Sequence, residues 1–337
     1  MIIDFSFGNY KSFKDIQTLS MQAAKIKSKY PEVDKQNVFQ SEIGISLLKS
    51  KAIFGANASG KSNVAEALLV FLKIIQRSIN DEEILNKSIE PFLLNIHSYK
   101  EPVFFQMNFI LDQTHYRYGF EAFRDRIANE WLFGTPNKKE VYFFIREGME
   151  IKINEKRFKE GNELDSIDRS ELSLLRENSL FLGVVAALGG KLSRKISRFF
   201  NKKIGVISGI YHPFLNVAFT NFETFESRMT DLLKSIDSGI VGLKKIEIDS
   251  KQSSKMVQYQ EEDEKNGYLE VQKKVYDEEG QVVDIIGMEM SRSEAEGTKK
   301  LIGLAPFIFN VLDNSEGGIL VIDEFDARLH PRLSQKI

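Results

Sequence analysis

Residues 2–7 alternate apolar and polar side chains, the period of a half-buried strand. A second strand is predicted over KSKAIF, residues 49–54, leading into a glycine-containing loop. The period then becomes helical: Val64, Leu68, Phe71, Leu72 and Ile75 form one apolar stripe. From about 102 to 154 it shortens to two. Phe105, Met107 and Phe109 alternate with Gln106 and Asn108, and Tyr116, Tyr118 and Phe120 alternate with Arg117 and Glu121. WLFG, VYFFI and IKI follow, separated by the turn-like GTPNKK and REGM, so an antiparallel meander is predicted after the first helix. Residues 170–204 and 219–236 read as helices, and 244–287 as further strands with an acidic EEDEKNG loop and a DEEG turn. A helix over about 297–312 and the apolar run GGILVIDE complete the pattern, without internal repeats or a low-complexity linker.

Composition narrows the class. The chain of 337 residues is 42% hydrophobic, enough for a large core in one big domain or two interleaved ones. It has no cysteine, which excludes disulfides and thiolate metal sites. His97, His115, His212 and His330 are scattered, against a histidine metal cluster. The first residues lack the layout of a signal peptide and no apolar run approaches the length of a membrane span, so a cytoplasmic protein without membrane contact is expected. A net charge of −2 means that any nucleic-acid contact must come from a local patch. Lys191, Arg194, Lys195, Arg198, Lys202 and Lys203 form such a run around Phe199 and Phe200. It reads either as a DNA-backbone contact or as a solvated helix face over two core aromatics. Trp131, the lone tryptophan, is most simply core.

The strongest chemical signal is IFGANASGKSN, residues 53–63. Gly55, Gly60, Lys61 and Ser62 match G-x-x-x-x-G-K-[ST]. In such a loop the glycines let successive N–H groups and a helix N-terminus face a phosphate. Lys61 is expected to reach the β and γ phosphates of ATP and Ser62 to hold Mg²⁺, with Asn57 and Asn63 of the same loop also lining the nucleotide. The second signal is GGILVIDEFDARLHP, an unbroken apolar run of the kind found in parallel strands buried on both faces. It ends in Asp323, expected on Mg²⁺, and Glu324, expected to polarise the attacking water. No N-K-x-D guanine reader is present, which argues against a GTPase.

GANASGKSN, SRSEAEGTKKL and DEFDARLHP together resemble the ATP-binding-cassette ATPases of the SMC, RecF and OLD kind. The closest likeness within them is to prokaryotic AAA-type ATPases often encoded beside anti-phage effectors. FSFGNYKSFKDIQTLSMQA, RYGFEAFRDRIANEWLF and ENSLFLGVVAAL extend the resemblance along nearly the whole chain. It implies that Glu294 to Thr298 align with the cassette signature L-S-G-G-Q, with Ala295 in place of its serine, and that Gly297 and Thr298 serve the nucleotide of another protomer. The residues alone read rather as an ordinary capped helix start, and the resemblance is what reverses that reading. It further implies that Lys11, in the Asn9 to Ser12 turn, lies near the adenine or α-phosphate. A glutamine loop has no candidate: Gln106 and Gln113 sit in the meander, and no Gln follows before Gln252. His330 is not the family's switch histidine, and the chain, stopping at Ile337, reads as truncated.

The expected fold is therefore α/β, a P-loop NTPase of ABC-ATPase type with a mixed central sheet, an inserted antiparallel β subdomain and a helical subdomain. Residues 1–100 would carry the first part of the core, 101–160 the inserted subdomain, 161–240 the helical subdomain, and 241–337 the rest of the core. The resemblance implies a homodimer or higher homo-oligomer closed by Mg-ATP, acting on a separate effector such as a nuclease. A RecF-like DNA-repair ATPase and a nucleotide-gated scaffold with little hydrolysis are the alternatives.

Overall fold

The computed structural model describes residues 1–26, 29–162, 175–208, 214–248, 267–314, 317–327 and 329. They form two compact units, Met1–Val206 and Ile207–Ile337. Residues 170–174 of the helix expected over 170–204, residues 261–266 of the acidic loop, His212, His330 and the tail beyond it fall outside the described residues, and 175–204 hold two helices in place of one.

The first unit opens with β1 (Ile2–Gly8) and β2 (Gln17–Ser20), then α1 (Pro31–Asn37) and the short hairpin β3 (Val38–Gln40) and β4 (Ser46–Leu48). Next come α2 (Lys61–Arg77) and α3 (Ile84–Ser88). The meander is β5 (Val103–Leu111), β6 (Thr114–Ala122), β7 (Ile127–Gly134), β8 (Val141–Glu147) and β9 (Glu150–Ile153). α4 (Lys159–Asn162), α5 (Phe181–Ala187), α6 (Lys191–Lys203) and β10 (Ile204–Ile207) follow. The meander is not a sheet by itself. β1 pairs antiparallel with β5, Phe5 opposite Met107 and Phe7 opposite Phe105, so the order is β2-β1-β5-β6-β7-β8-β9. Asp112 and Gln113, at φ 48° and 59°, make the β5–β6 turn with the positive φ pair that a two-residue hairpin needs.

One face of this sheet is core. Phe105, Met107, Phe109, Tyr118 and Phe120 are buried, as are Leu68, Phe71, Leu72 and Ile75 of α2 and Ile196, Phe199 and Phe200 of α6, with Phe71, Phe199 and Phe200 in ring contact with the sheet. Phe71 is the centre, with ring centroids 5.4 Å from Phe5, 5.6 Å from Phe120 and 5.4 Å from Phe200. The other face is half-exposed and polar, as antiparallel sheets allow. Trp131 lies there and not in the core: it stacks on Phe104 at 5.8 Å, covers Gly119 and donates its Nε1–H to Gln106 at 3.1 Å. An indole needs an acceptor for its N–H, and this face supplies one.

The second unit contains α7 (Leu215–Thr220), α8 (Phe222–Ile236), β11 (Ile240–Glu247), β12 (Gly267–Tyr276), β13 (Val282–Glu289), α9 (Met290–Ser293), α10 (Glu296–Asp313) and β14 (Ile319–Ile322). The antiparallel sheet runs β11-β12-β13. Phe222, Phe225, Met229 and Leu233 of α8 pack with Leu243, Leu269, Val271, Met290, Ile302 and Ala305. Among the described residues no helix is long and apolar enough to cross a membrane.

Candidate functional site

The glycine loop turns tightly into α2. Ala58 and Gly60 adopt φ of 62° and 93°, and Ser59 donates its backbone N–H to the Ala56 carbonyl at 3.2 Å. Gly60 is required twice over: its backbone is left-handed, and a Cβ would sit 2.6 Å from the Phe13 ring. A Cβ on Gly55 would meet Ser59 Oγ at 2.6 Å. The Lys61 ammonium folds back on the loop and donates to the carbonyls of Gly55 and Ala56, both at 2.8 Å. The first turn of α2 has no side-chain cap and no acidic residue, so its amides face outward unneutralised. Asn63 donates its amide to Ser12 Oγ at 2.8 Å, which packs the 9–13 turn against the loop. Asn57 and Ser62 are exposed. An exposed ring of N–H donors beside an ammonium is what a polyphosphate needs.

One local expectation fails. Residues 49–54 form no strand, and Ile53 and Phe54 are exposed. A strand buried on both faces needs ladder partners. In this unit β1 is already paired on both edges, by β2 and β5, so it offers none.

Lys11 sits at φ 48° in the neighbouring turn, its ammonium paired with Glu66 of α2 and with Glu90 at 3.4 Å. Asn9 locks the same turn by donating to the carbonyls of Ser98 and Glu101 at 2.7 and 2.9 Å. Burial, with Glu66 and Glu90 adding to it, raises the Tyr10 hydroxyl above the usual tyrosine range.

In the second unit α10 begins at Glu296, one residue before the expected start, after an N-cap Ala295 that has no side-chain cap bond. Glu294 turns inward to Lys273 at 2.8 Å, which raises the lysine pKa. Gly297 is half-buried and Thr298 buried. β14 is half-buried along its length, not sealed on both faces as the apolar run predicts. It ends in a turn where Asp323 donates its N–H to the Ile207 carbonyl at 2.9 Å. Asp323 is half-buried and Glu324 exposed, the latter at φ 50°. A residue absent from the sequence reading, Lys300 of α10, is 6% exposed and donates to the carbonyls of Glu324 at 2.7 Å and Ala327 at 2.9 Å. The signal was present: a single lysine on the inner side of a helix whose neighbours Leu301, Ile302, Leu304 and Ala305 are all buried.

The basic run is α6. Phe199 and Phe200 are core, Phe199 stacking on Phe109 at 5.0 Å. Glu160 caps the helix by accepting from the N–H groups of Leu192 and Ser193 at 2.9 and 2.8 Å. Lys195 pairs with Asp112 at 2.5 Å, and Arg194 donates to the Ala186 carbonyl at 3.0 Å. Lys191, Arg198 and Lys202 are exposed, and Lys203 is half-buried.

Residues 52–337 match the model of the AAA_21 family, described as "AAA domain, putative AbiEii toxin, Type IV TA system". The chain belongs to this family. Its ABC-like ATPase character follows from that membership, which implies a P-loop NTPase that takes ATP, in a chain of mixed α/β structure. No curated protein matches the chain. Within this AAA_21 ATPase, Gly55, Asn57, Gly60, Lys61, Ser62, Asn63 and Lys11 belong to the first unit, and Gly297, Thr298, Asp323 and Glu324 to the second.

Proposed function

We propose that the chain is a Mg²⁺-dependent ATP hydrolase whose copies close head to tail around nucleotide and signal to a separate effector such as a nuclease. The observation that carries this is the Lys61 ammonium resting on the carbonyls of Gly55 and Ala56 at the open mouth of a glycine loop. Those two bonds are exchangeable for phosphate oxygens without moving the helix. The loop amides and Asn57 bind phosphate, and Asn63 keeps the loop seated on Ser12. Ser62 offers a hydroxyl and Asp323 a carboxylate, each an oxygen donor of the kind magnesium takes beside phosphates and water. When bound, the ion would neutralise charge developing on the phosphates. Glu324 orients and deprotonates the attacking water. Gly297 and the uncapped start of α10 serve the partner's phosphate, with Thr298 supporting that turn from inside. Lys11 acts through Glu66 and Glu90, fixing the turn beneath the loop. The reading carries the ABC-type fold with it, including the antiparallel and helical subdomains. The family description supports an output in toxin or defence systems.

Lys61→Ala is expected to weaken ATP binding about 10–100-fold, the range of a lost charge-assisted hydrogen bond. Equilibrium binding of a fluorescent ATP analogue measures it. Unchanged affinity would remove the glycine loop from the nucleotide site.

A DNA-directed reading, RecF-like, draws on the exposed cations of α6. With Lys191, Arg198 and Lys202 on phosphates, the triple Glu variant should cut the salt slope of duplex binding by about 3. DNA-stimulated turnover in the parent, lost in that variant, would establish it. A parent indifferent to DNA returns α6 to a solvated face.

A further inference from the structure

We propose that Lys300 is a positioning residue that holds Glu324 in place and ties it to the start of α10. This rests on the reading of Glu324 as the residue that orients water. Glu324 is a non-glycine residue in left-handed conformation, so its surroundings must hold it there. Its carboxylate is exposed, and no hydrogen bond or ion pair from the described residues reaches it. The direction of that carboxylate is therefore set by the backbone. The backbone in turn rests on two donors at one carbonyl: the Ala327 N–H at 3.0 Å and the Lys300 ammonium at 2.7 Å.

Lys300 spans the turn by donating to the Ala327 carbonyl as well, at 2.9 Å. It thereby clamps both ends of the tight segment Glu324–Ala327. A lysine only 6% exposed is costly to keep, and its ammonium has to be spent on such bonds. The same helix begins four residues earlier, at Glu296, and carries Thr298 in its first turn. A helix segment this short is rigid, so displacement of its first turn moves Lys300 with it. One element thus touches both halves of the proposed chemistry: its start faces the partner's nucleotide, and its second turn holds the protomer's own Glu324. Closure of the partner on α10 would be felt at Glu324, so that hydrolysis follows assembly.

The test compares the parent with K300M, which keeps an unbranched side chain in the buried site, and K300R, which keeps the cation. Each is measured as full chain, first without nucleotide. Backbone hydrogen exchange at Ala327 and Leu329, whose N–H groups donate to Glu324 and Asp326, is expected to accelerate about tenfold in K300M, the effect of losing a charge-assisted bond. Exchange in α8 and β12 should stay at the parent's rate. With Mg-ATP, kcat is expected to fall about tenfold in K300M while ATP affinity stays within about twofold, and K300R should recover most of both effects. Exchange that rises equally throughout the second unit, or a K300M kcat equal to the parent's, overturns the proposal. A parent without turnover defeats the hydrolase reading instead. The exchange at Ala327 then decides Lys300 alone, and an unchanged rate overturns it.

Discussion

Glu324→Gln is expected to lower ATP turnover about 10²–10⁴-fold, the contribution of a positioned general base, while leaving ATP binding intact. The amide is nearly isosteric with the carboxylate and cannot take a proton. The left-handed turn should survive, because the bonds from Lys300 and Ala327 end on the Glu324 carbonyl and not on its side chain. A chain that binds ATP without consuming it collects in the nucleotide-closed state. Its light-scattering mass is therefore expected to double on addition of Mg-ATP, and to stay constant when Lys61→Ala is combined with it. Doubling that needs both Lys61 and ATP supports head-to-tail closure across a twofold interface. An oligomer of constant mass that binds ATP points to a preassembled scaffold, and unchanged turnover in Glu324→Gln would agree with it. A constant monomer overturns closure.

Arg146→Met is expected to destabilise the first unit by about 3–5 kcal/mol, as removal of one partner from a buried ion pair does. Arg146 and Glu130 are both fully buried, with nitrogen and oxygen 3.6 Å apart. The guanidinium donates to the carbonyls of Gly148 at 2.6 Å, Ser179 at 2.5 Å and Arg176 at 3.1 Å. Glu130 accepts from the Tyr118 hydroxyl at 2.9 Å and from the N–H groups of Phe181 and Leu182 at 2.6 and 2.9 Å. Together they fasten the start of α5 to the middle of the sheet. Burial pushes the Glu130 carboxyl up, and Arg146 with the three donors pulls it back. Methionine fills the volume but strands that carboxylate and removes the guanidinium's bonds to the carbonyls of Gly148, Ser179 and Arg176. The expected signature is a lower urea midpoint at unchanged slope. Glu130→Gln added to Arg146→Met should restore part of the loss, because it removes the stranded charge. If the double variant is as unstable as the sum of the two single ones, the pair is not coupled.

Much of the local structure could be read from spacing alone. The stripe from Val64 to Ile75 is α2, the alternation over 102–154 is β5 to β9, and a helix expected over 297–312 is α10. These signals are local: each element must bury one side, and its own period declares which. The glycine loop was legible for a related reason, since left-handed backbone at Gly60 and an ammonium one residue later leave few alternatives. Short elements such as α1, β3 and β4 went unseen because α1 (PEVDKQN) buries no residue and shows no apolar period, and three-residue strands are too short to show one.

What tertiary structure alone decided is where distant segments meet. β1 joins β5 across about a hundred residues of chain and makes the meander part of a larger sheet. That pairing leaves residues 49–54 without a ladder, although their apolar end, Ala52 to Phe54, suits a strand. Trp131 has the composition of a core residue, yet its N–H went to the face where Gln106 could accept it. Glu130 with Arg146, and Lys300 with Glu324, are bonds between residues whose neighbours in sequence say nothing of each other. The sequence by itself determined the longer elements and the glycine-loop backbone offered to a phosphate, because periodicity and backbone conformation are properties of adjacent residues. The polar contacts that hold Glu324 and α5 in place were decided only by the fold, because a buried charge takes whichever partner the packed chain brings to it.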